Sequence, residues 1–388
     1  MKPRRITTFV CVLATVVLIA GVPSWDQIQH SATPQIEDLR GEIPIGVVLP
    51  LTGALAAPYG LPMQRGFELA REEINNSRQL GDAKITFITE DDQGAVEAAV
   101  EAYNKLIHKD SVPVILGPAN SSQAREAFPI AQQNRVVAIS SLSSASGLSA
   151  LGDFNFRISL TTDVLVPSGI RITQEKLGYT KVATIYDDID LYSTDSSKVV
   201  RGALAANGVE ILTTETYQTG ETDFSVQLTH IKESNPDAIF ISALAPEMIR
   251  IMIQTRQLGI PTNVPLIVPD LTGDEVEAVS DAAEGAIAFT SWTSTVDTPG
   301  NQAFVQNYRA KYGAEPNPWA AQSYAAFYIL AEAITNAQST DSTAIRDALA
   351  DIKNFDTVLG QFSFNAVGDA VYDLMVLTVR NGNFEVFE

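Results

Sequence analysis

From Ile43 onward, short β-branched apolar runs alternate with longer segments whose apolar residues recur every three or four positions. IPIGVVLP (43–50) reads as a buried strand, and YGLPMQRGFELAREEIN (59–75) as a helix with Met63, Phe67, Ala70 and Ile74 on one face. KITFITEDD (84–92), VPVILG (112–117) and RVVAIS (135–140) are the next strands, separated by helices over AVEAAVEAYNKLI (95–107) and SSQAREAFPIAQQ (121–133). After FNFRISLTTD (154–163) the alternation restarts, with strands in KVATIYDD, GVEILTTETY, DAIFISAL and VPLIVPD. Helices NQAFVQNYRAKYG, PWAAQSYAAFYILAEAITNA and STAIRDALADI follow GAIAFTSW. The end of the chain, from Gly360, reads as three short strands with turns at Gly368-Asp369 and Asn381-Gly382. This pattern predicts an α/β protein built on parallel sheets covered on both faces.

At 388 residues the chain exceeds what one core usually organises, so the two runs predict two α/β lobes. Open parallel sheets bind ligands beyond the carboxyl ends of their strands. Thr52, Asp91, Ser121, Ser144, Tyr192, Leu244 and Asp270 all fall at such ends, which predicts a ligand cleft between the lobes.

The first residues follow a different rule. Lys2, Arg4 and Arg5 precede ITTFVCVLATVVLIAGV, an uncharged apolar run. This predicts a secretory signal over residues 1–24, cut somewhere between Gly21 and Ala32, then a polar linker over 25–42. An uncleaved anchor is the alternative, because the run is close to spanning length. Either reading places the protein outside the cytoplasm. Cys11, the sole cysteine, lies in this segment, so the remainder has neither a disulfide framework nor a catalytic thiol. Losing Lys2, Arg4 and Arg5 leaves 23 of the 26 basic residues against 46 acidic ones. A surface so negative repels nucleic acid and anionic lipid.

The chemistry narrows by elimination. No Gly-x-Ser-x-Gly elbow occurs, and His30, His108 and His230 are scattered, so neither a serine hydrolase nor a zinc-type cluster is assembled. Neither Gly-x-x-x-x-Gly-Lys-Ser/Thr nor Gly-x-Gly-x-x-Gly is present, so no nucleotide fingerprint exists. No cofactor is called for. Ser121 and Ser122 open a helix whose free N–H groups favour an anion, although N-capping is the commoner role for serine there. Ser143 and Ser144 face the same choice. Asp91 or Asp92 fits a turn cap beside Gly94, whereas a carboxylate at Asp270, in the other lobe from the serines, suits an ammonium. Tyr59, Tyr192 and Trp292 are aromatic candidates for the cleft wall.

Taken in order, IPIGVVLPLTGALAAPYG with RGFELAREEIN, EDDQG with EAAVEAYNKLI, VILGPANSSQA, ISSLSSASGLS, VATIYDDIDLYSTD, PDAIFISALAPEMIRIMIQTRQLG, NYRAKYGAEPNPWAAQSYAAFYILAEAI and GQFSFNAVGD resemble one family. It is the periplasmic leucine/isoleucine/valine-type binding proteins of ABC importers, and the resemblance runs from about Ile43 to Glu388. It implies two Rossmann-like lobes of the type I periplasmic-binding fold, joined by three crossovers. The lobes would be 43–161 with 292–357, and 162–291 with 358–388. It also implies that Ser121, Ser144 and the backbone of Leu142 hold a ligand carboxylate. Tyr59 and Tyr192 would flank it, Asp270 would receive its ammonium, and Ser122 would keep a capping role.

Two departures bear on specificity. Leu244-Ala245 stands where leucine-binding members carry an aromatic residue, and Tyr-Ser-Thr-Asp (192–195) replaces the usual Tyr-Gly-x-Gly. The resemblance therefore implies a monomeric, non-enzymatic solute-binding protein for a small amino acid or related carboxylate, delivering it to an inner-membrane ABC permease. An amide, urea or aromatic carboxylate solute, and a sensory domain signalling to a receptor, are the alternatives.

Overall fold

A computed structural model describes residues 39–387. The expected signal, Cys11, His30 and most of the linker lie outside them. The first strand begins at Arg40, so 40–42 belong to the sheet rather than to a linker.

The first lobe is built on β1 (Arg40–Leu49), β2 (Asp82–Asp91), β3 (Val114–Leu116), β4 (Val137–Ser140) and β5 (Asn155–Arg157). These strands are all parallel, in the order β2-β1-β3-β4-β5. Their helices are α1 (Leu61–Ser77), α2 (Val96–His108) and α3 (Ser121–Asn134). Both faces of the sheet are covered, which is why its strands read as continuous apolar runs. Tyr103, Leu106, Ala124 and Phe128 from α2 and α3 fill one side with Val48 and Ile115. Met63, Phe67 and Ile74 of α1 fill the other with Ile45 and Val47.

The second lobe repeats the plan. It contains α4 (Thr162–Leu177), β6 (Lys181–Asp187), α5 (Leu191–Ala206), β7 (Glu210–Tyr217), α6 (Ser225–Ser234), β8 (Ala238–Ser242), α7 (Ala245–Gln257), β9 (Leu266–Val268), α8 (Gly273–Val279) and β10 (Ile287–Thr290). The chain then returns to the first lobe as α9 (Asn301–Tyr312), α10 (Pro318–Ala337) and α11 (Ser342–Ala350). Helix α10 is apolar almost all round because it is buried against α1. A Cβ on Gly66 would sit 2.3 Å from the Ala320 carbonyl oxygen, so only glycine permits that approach.

Four elements and not three occupy the C-terminal stretch from Gly360, preceded by β11 (Phe355–Thr357). They are β12 (Gly360–Phe364), β13 (Ala370–Val371), β14 (Met375–Arg380) and β15 (Asn383–Val386). The β14–β15 hairpin turns at Asn381 and Gly382, both at positive φ, and it extends the second sheet at its edge, with β14 antiparallel to β10. The small sheet β11-β12-β13 belongs to the first lobe, where Val358, Leu359, Phe362 and Phe364 join the core around α10. Assigning residues 358–371 to the second lobe is therefore corrected: the third crossover is the short segment Tyr372–Leu374. The apolar side chains of β12 match the first core, and Arg157 pins the turn at Asp369. Its Nε and Nη2 donate to Asp369 Oδ1 at 2.9 and 2.6 Å.

Candidate functional site

In each sheet the strand order reverses beside the first strand, at β1/β3 and at β6/β8, and the loops leaving these strands face one another. They line a narrow cavity between the lobes. Ser121, Leu142, Ser144, Tyr59, Tyr192 and Asp270 all line it. Leu244 lines it too, with Asn120, Met248, Glu275 and Trp319.

The serine wall is fixed by backbone geometry. Gly117 has φ of +113°, and a Cβ there would lie 2.1 Å from the Val48 carbonyl oxygen, so β3 can turn only through glycine. The Tyr103 hydroxyl donates to Gly117 O at 2.6 Å, and Ser140 Oγ donates to Pro118 O at 2.7 Å. Ser121 follows at the start of α3, buried, its Oγ accepting from Ala145 N at 3.2 Å. That bond ties the α3 entry to the Ser140–Ser149 loop carrying Leu142 and Ser144. The hydroxyl hydrogen of Ser121 remains free to donate to an anion. Buried Arg157 holds the same loop from behind through the carbonyls of Ser143 and Ala145.

Ser122 is corrected. It does not cap its own helix: Asn120 occupies the cap position of α3, without a side-chain capping bond. Ser122 reaches the other lobe, donating to Asp190 Oδ2 at 2.9 Å and accepting from Leu191 N at 3.0 Å. It thus completes the N-terminus of α5. Ser146 makes a second seam, its N and Oγ donating to Asp195 Oδ2 at 2.8 and 2.9 Å. A third joins Ala245 N to the Tyr59 hydroxyl at 2.8 Å. The two lobes are closed on one another.

Thr52 and Asp91 stay outside the cavity and hold a turn together, with Thr52 Oγ1 donating to Asp91 Oδ2 at 2.6 Å. Asp92 accepts from Gly94 N at 2.8 Å, so both acids cap turns. Trp292 is buried elsewhere, its Nε1 donating to Asn301 Oδ1 at 2.9 Å; the cleft tryptophan is Trp319. Trp319 stands in the first turn of α10, edge-on to Tyr59 with ring centroids 6.1 Å apart. The Asn-Pro-Trp run ahead of an apolar helix is a helix-start signature that could have drawn attention to it.

On the opposite wall Asp270 leaves β9, and Thr272 and Glu275 form a reciprocal capping box at α8. Burial raises the Asp270 carboxyl well above the usual range, and the neighbouring Glu275 charge adds to it. Burial pushes Glu275 up to about 7. Burial, and then the Asp270 charge, likewise raises the Tyr192 phenol. Such a wall favours a cation, because a positive charge beside buried acids offsets the cost of ionising them there.

The sign of the pH response follows. An unfolded glutamate titrates near 4.5, so between there and about 7 the folded chain holds more protons at Glu275 than the unfolded chain. That stabilisation is complete below the unfolded value and lost as pH rises through 7. Buried Asp92, raised to about 6, acts in the same direction. Melting temperatures of the ligand-free protein should therefore fall between pH 5 and pH 8, and the fall should be smaller in Glu275→Gln. An equal fall in the variant would refute the assignment.

The profile of the periplasmic binding protein family matches residues 42–383. The leucine-, isoleucine-, valine-, threonine- and alanine-binding protein of Pseudomonas aeruginosa is 24% identical over 349 residues, covering 89% of each chain. Among solved structures, the branched-chain amino acid transporter substrate binding protein LivJ of Streptococcus pneumoniae, in complex with isoleucine, is 29% identical. It superposes with a TM-score of 0.83 over 89% of this chain and 98% of its own. A benzoate-bound solute binding protein of R. palustris shares the fold, at 22% identity and a TM-score of 0.82 over 89% of this chain and 95% of its own. With two α/β lobes, three crossovers and a cleft at the strand ends, this chain belongs to the periplasmic binding protein family.

Proposed function

We propose that the protein is an extracytoplasmic solute-binding protein that captures a small amino acid and delivers it to an ABC importer. The observation that carries this reading is the polarity of the closed cavity. Serine hydroxyls and helix N–H groups stand on the first-lobe wall, and Asp270 stands on the second. Ser121 and Ser144 receive the carboxylate, with the backbone of Leu142 between them, and Asp270 receives the ammonium. Tyr59 and Tyr192 flank the head group. Closure buries these charge-assisted hydrogen bonds away from water, and each contributes about 1.5–3 kcal/mol. A micromolar complex needs roughly 8 kcal/mol in total, so a few of them with some apolar burial suffice. Binding requires no bond to be made or broken, and none of the groups in the cavity is set up as a nucleophile with its base.

A thermal-shift screen of amino acids, amides and small carboxylates finds the ligand, since a compound that binds only the folded state raises its melting temperature. Calorimetry of the best amino acid against its carboxamide then tests the serine wall. The acid should bind at least about tenfold tighter, because the amide brings no charge to those donors. Equal affinity would sink the carboxylate assignment.

A further inference from the structure

The cavity is lined by buried polar groups that have no partner among the described residues. Asp270 accepts no hydrogen bond among the described residues, and the charge that acts on it is that of Glu275. Glu275 is 5% exposed and spends one oxygen in its capping box, where Oε2 accepts from Thr272 N at 2.7 Å. Among the described residues only Thr272 donates to this carboxylate. Across the cavity Asn120, also 5% exposed, has Oδ1 without a donor, and Trp319 Nε1, at 3% exposure, has no acceptor.

A ligand ammonium satisfies Asp270. An all-carbon side chain would then leave Asn120 Oδ1 without a donor and Trp319 Nε1 without an acceptor, and would offer nothing to the Glu275 carboxylate; each such loss counts strongly against binding. A site furnished in this way discriminates best for a ligand that supplies the missing groups and against an isostere that lacks them.

We propose that the ligand carries, besides its α-ammonium, a second nitrogen-borne N–H donor on a short side chain, and that Glu275 is the specificity-determining residue that receives it. The inference rests on the amino-acid reading of the site. The shared chemistry is the N–H group. A side-chain amide brings it without charge, and a side-chain ammonium brings it with one. The two sources differ in what they ask of the wall: an ammonium balances the second carboxylate, whereas an amide only hydrogen-bonds to it.

The test is a calorimetric panel on the full folded protein: norvaline and 2,4-diaminobutyrate, whose side chains match in length, and glutamine, whose amide nitrogen lies one atom further out. Wild type should bind glutamine or 2,4-diaminobutyrate at least tenfold tighter than norvaline. Preference for the diamine identifies a second cation, and preference for glutamine identifies a neutral donor. Glu275→Gln keeps the capping box, since glutamine serves there as well as glutamate. In that variant the preference for 2,4-diaminobutyrate over norvaline should shrink at least tenfold. Norvaline binding as tightly as both nitrogen-bearing partners would overturn the inference and leave the amino-acid reading standing. If no amino acid binds while simple carboxylates do, the amino-acid reading itself falls and the inference goes with it. The wild-type panel decides the matter even if the variant does not fold.

Discussion

Replacing Asp270 with asparagine should weaken binding of the best amino acid in the panel at least about 100-fold, close to 3 kcal/mol. The substitution keeps the shape of the side chain and removes its charge. A buried ammonium would then face an amide, and truncating one partner of a buried charge pair costs about 2–5 kcal/mol. The wall offers little compensation, because the charge acting on Asp270 is another acid, Glu275. Calorimetry with the amino acid and with its deamino analogue separates this effect from general damage. The analogue has no ammonium, so its affinity should hold or rise in the variant. The folded protein should also lose nothing without ligand, because a carboxyl raised by burial is a cost that asparagine does not carry. Unchanged affinity for the amino acid would end the zwitterion reading of the cavity.

The second large effect concerns stability. Asp369→Ala should destabilise the protein by about 3–5 kcal/mol in chemical denaturation, the usual result of stranding one member of a buried pair. The Arg157 side chain is fully buried and that of Asp369 is 14% exposed, so the guanidinium is left with only carbonyl and hydroxyl partners. Those partners include the serine loop. The variant should therefore also bind ligand more weakly, through Ser144 and Leu142, although Asp369 does not line the cavity. Replacing both residues with Arg157→Met/Asp369→Ala should recover part of the stability, since no unpaired charge remains. A loss below 1 kcal/mol in the single variant would show that water reaches the guanidinium.

The alternation of strands and helices was readable along nearly the whole chain, because period-2 and period-3.6 patterns reflect burial that each lobe imposes locally. The lining of the cavity was readable for a related reason. In parallel sheets the strand ends that point at the cleft are fixed by the same pattern, so Ser121, Ser144, Tyr192 and Asp270 announced themselves by position. What escaped depends on contacts between distant segments. Trp319 opens a helix some two hundred residues from Ser121, and nothing local distinguished it from Trp292. Glu275 carries a visible Thr-x-x-Glu signature, but a capping box says nothing of where its second oxygen points. Ser122 obeyed a local rule in the sequence and a different one in the fold, capping a helix of the other lobe. The third crossover was misplaced because β12 and β13 are short antiparallel strands, whose pattern does not tell which of two cores they join.

Ser122 has one more consequence. Its neighbour Ser121 faces the cavity, while Ser122 holds the first N–H of α5 on the opposite lobe. If Ser121 receives the ligand as proposed, occupancy and lobe position meet at adjacent residues on one helical turn. No relay through the core is needed to report that the cavity is full. On that reading the two contacts are one peptide bond apart, and a nitroxide or fluorophore on the outer surface of α5 should register filling and closure as a single event.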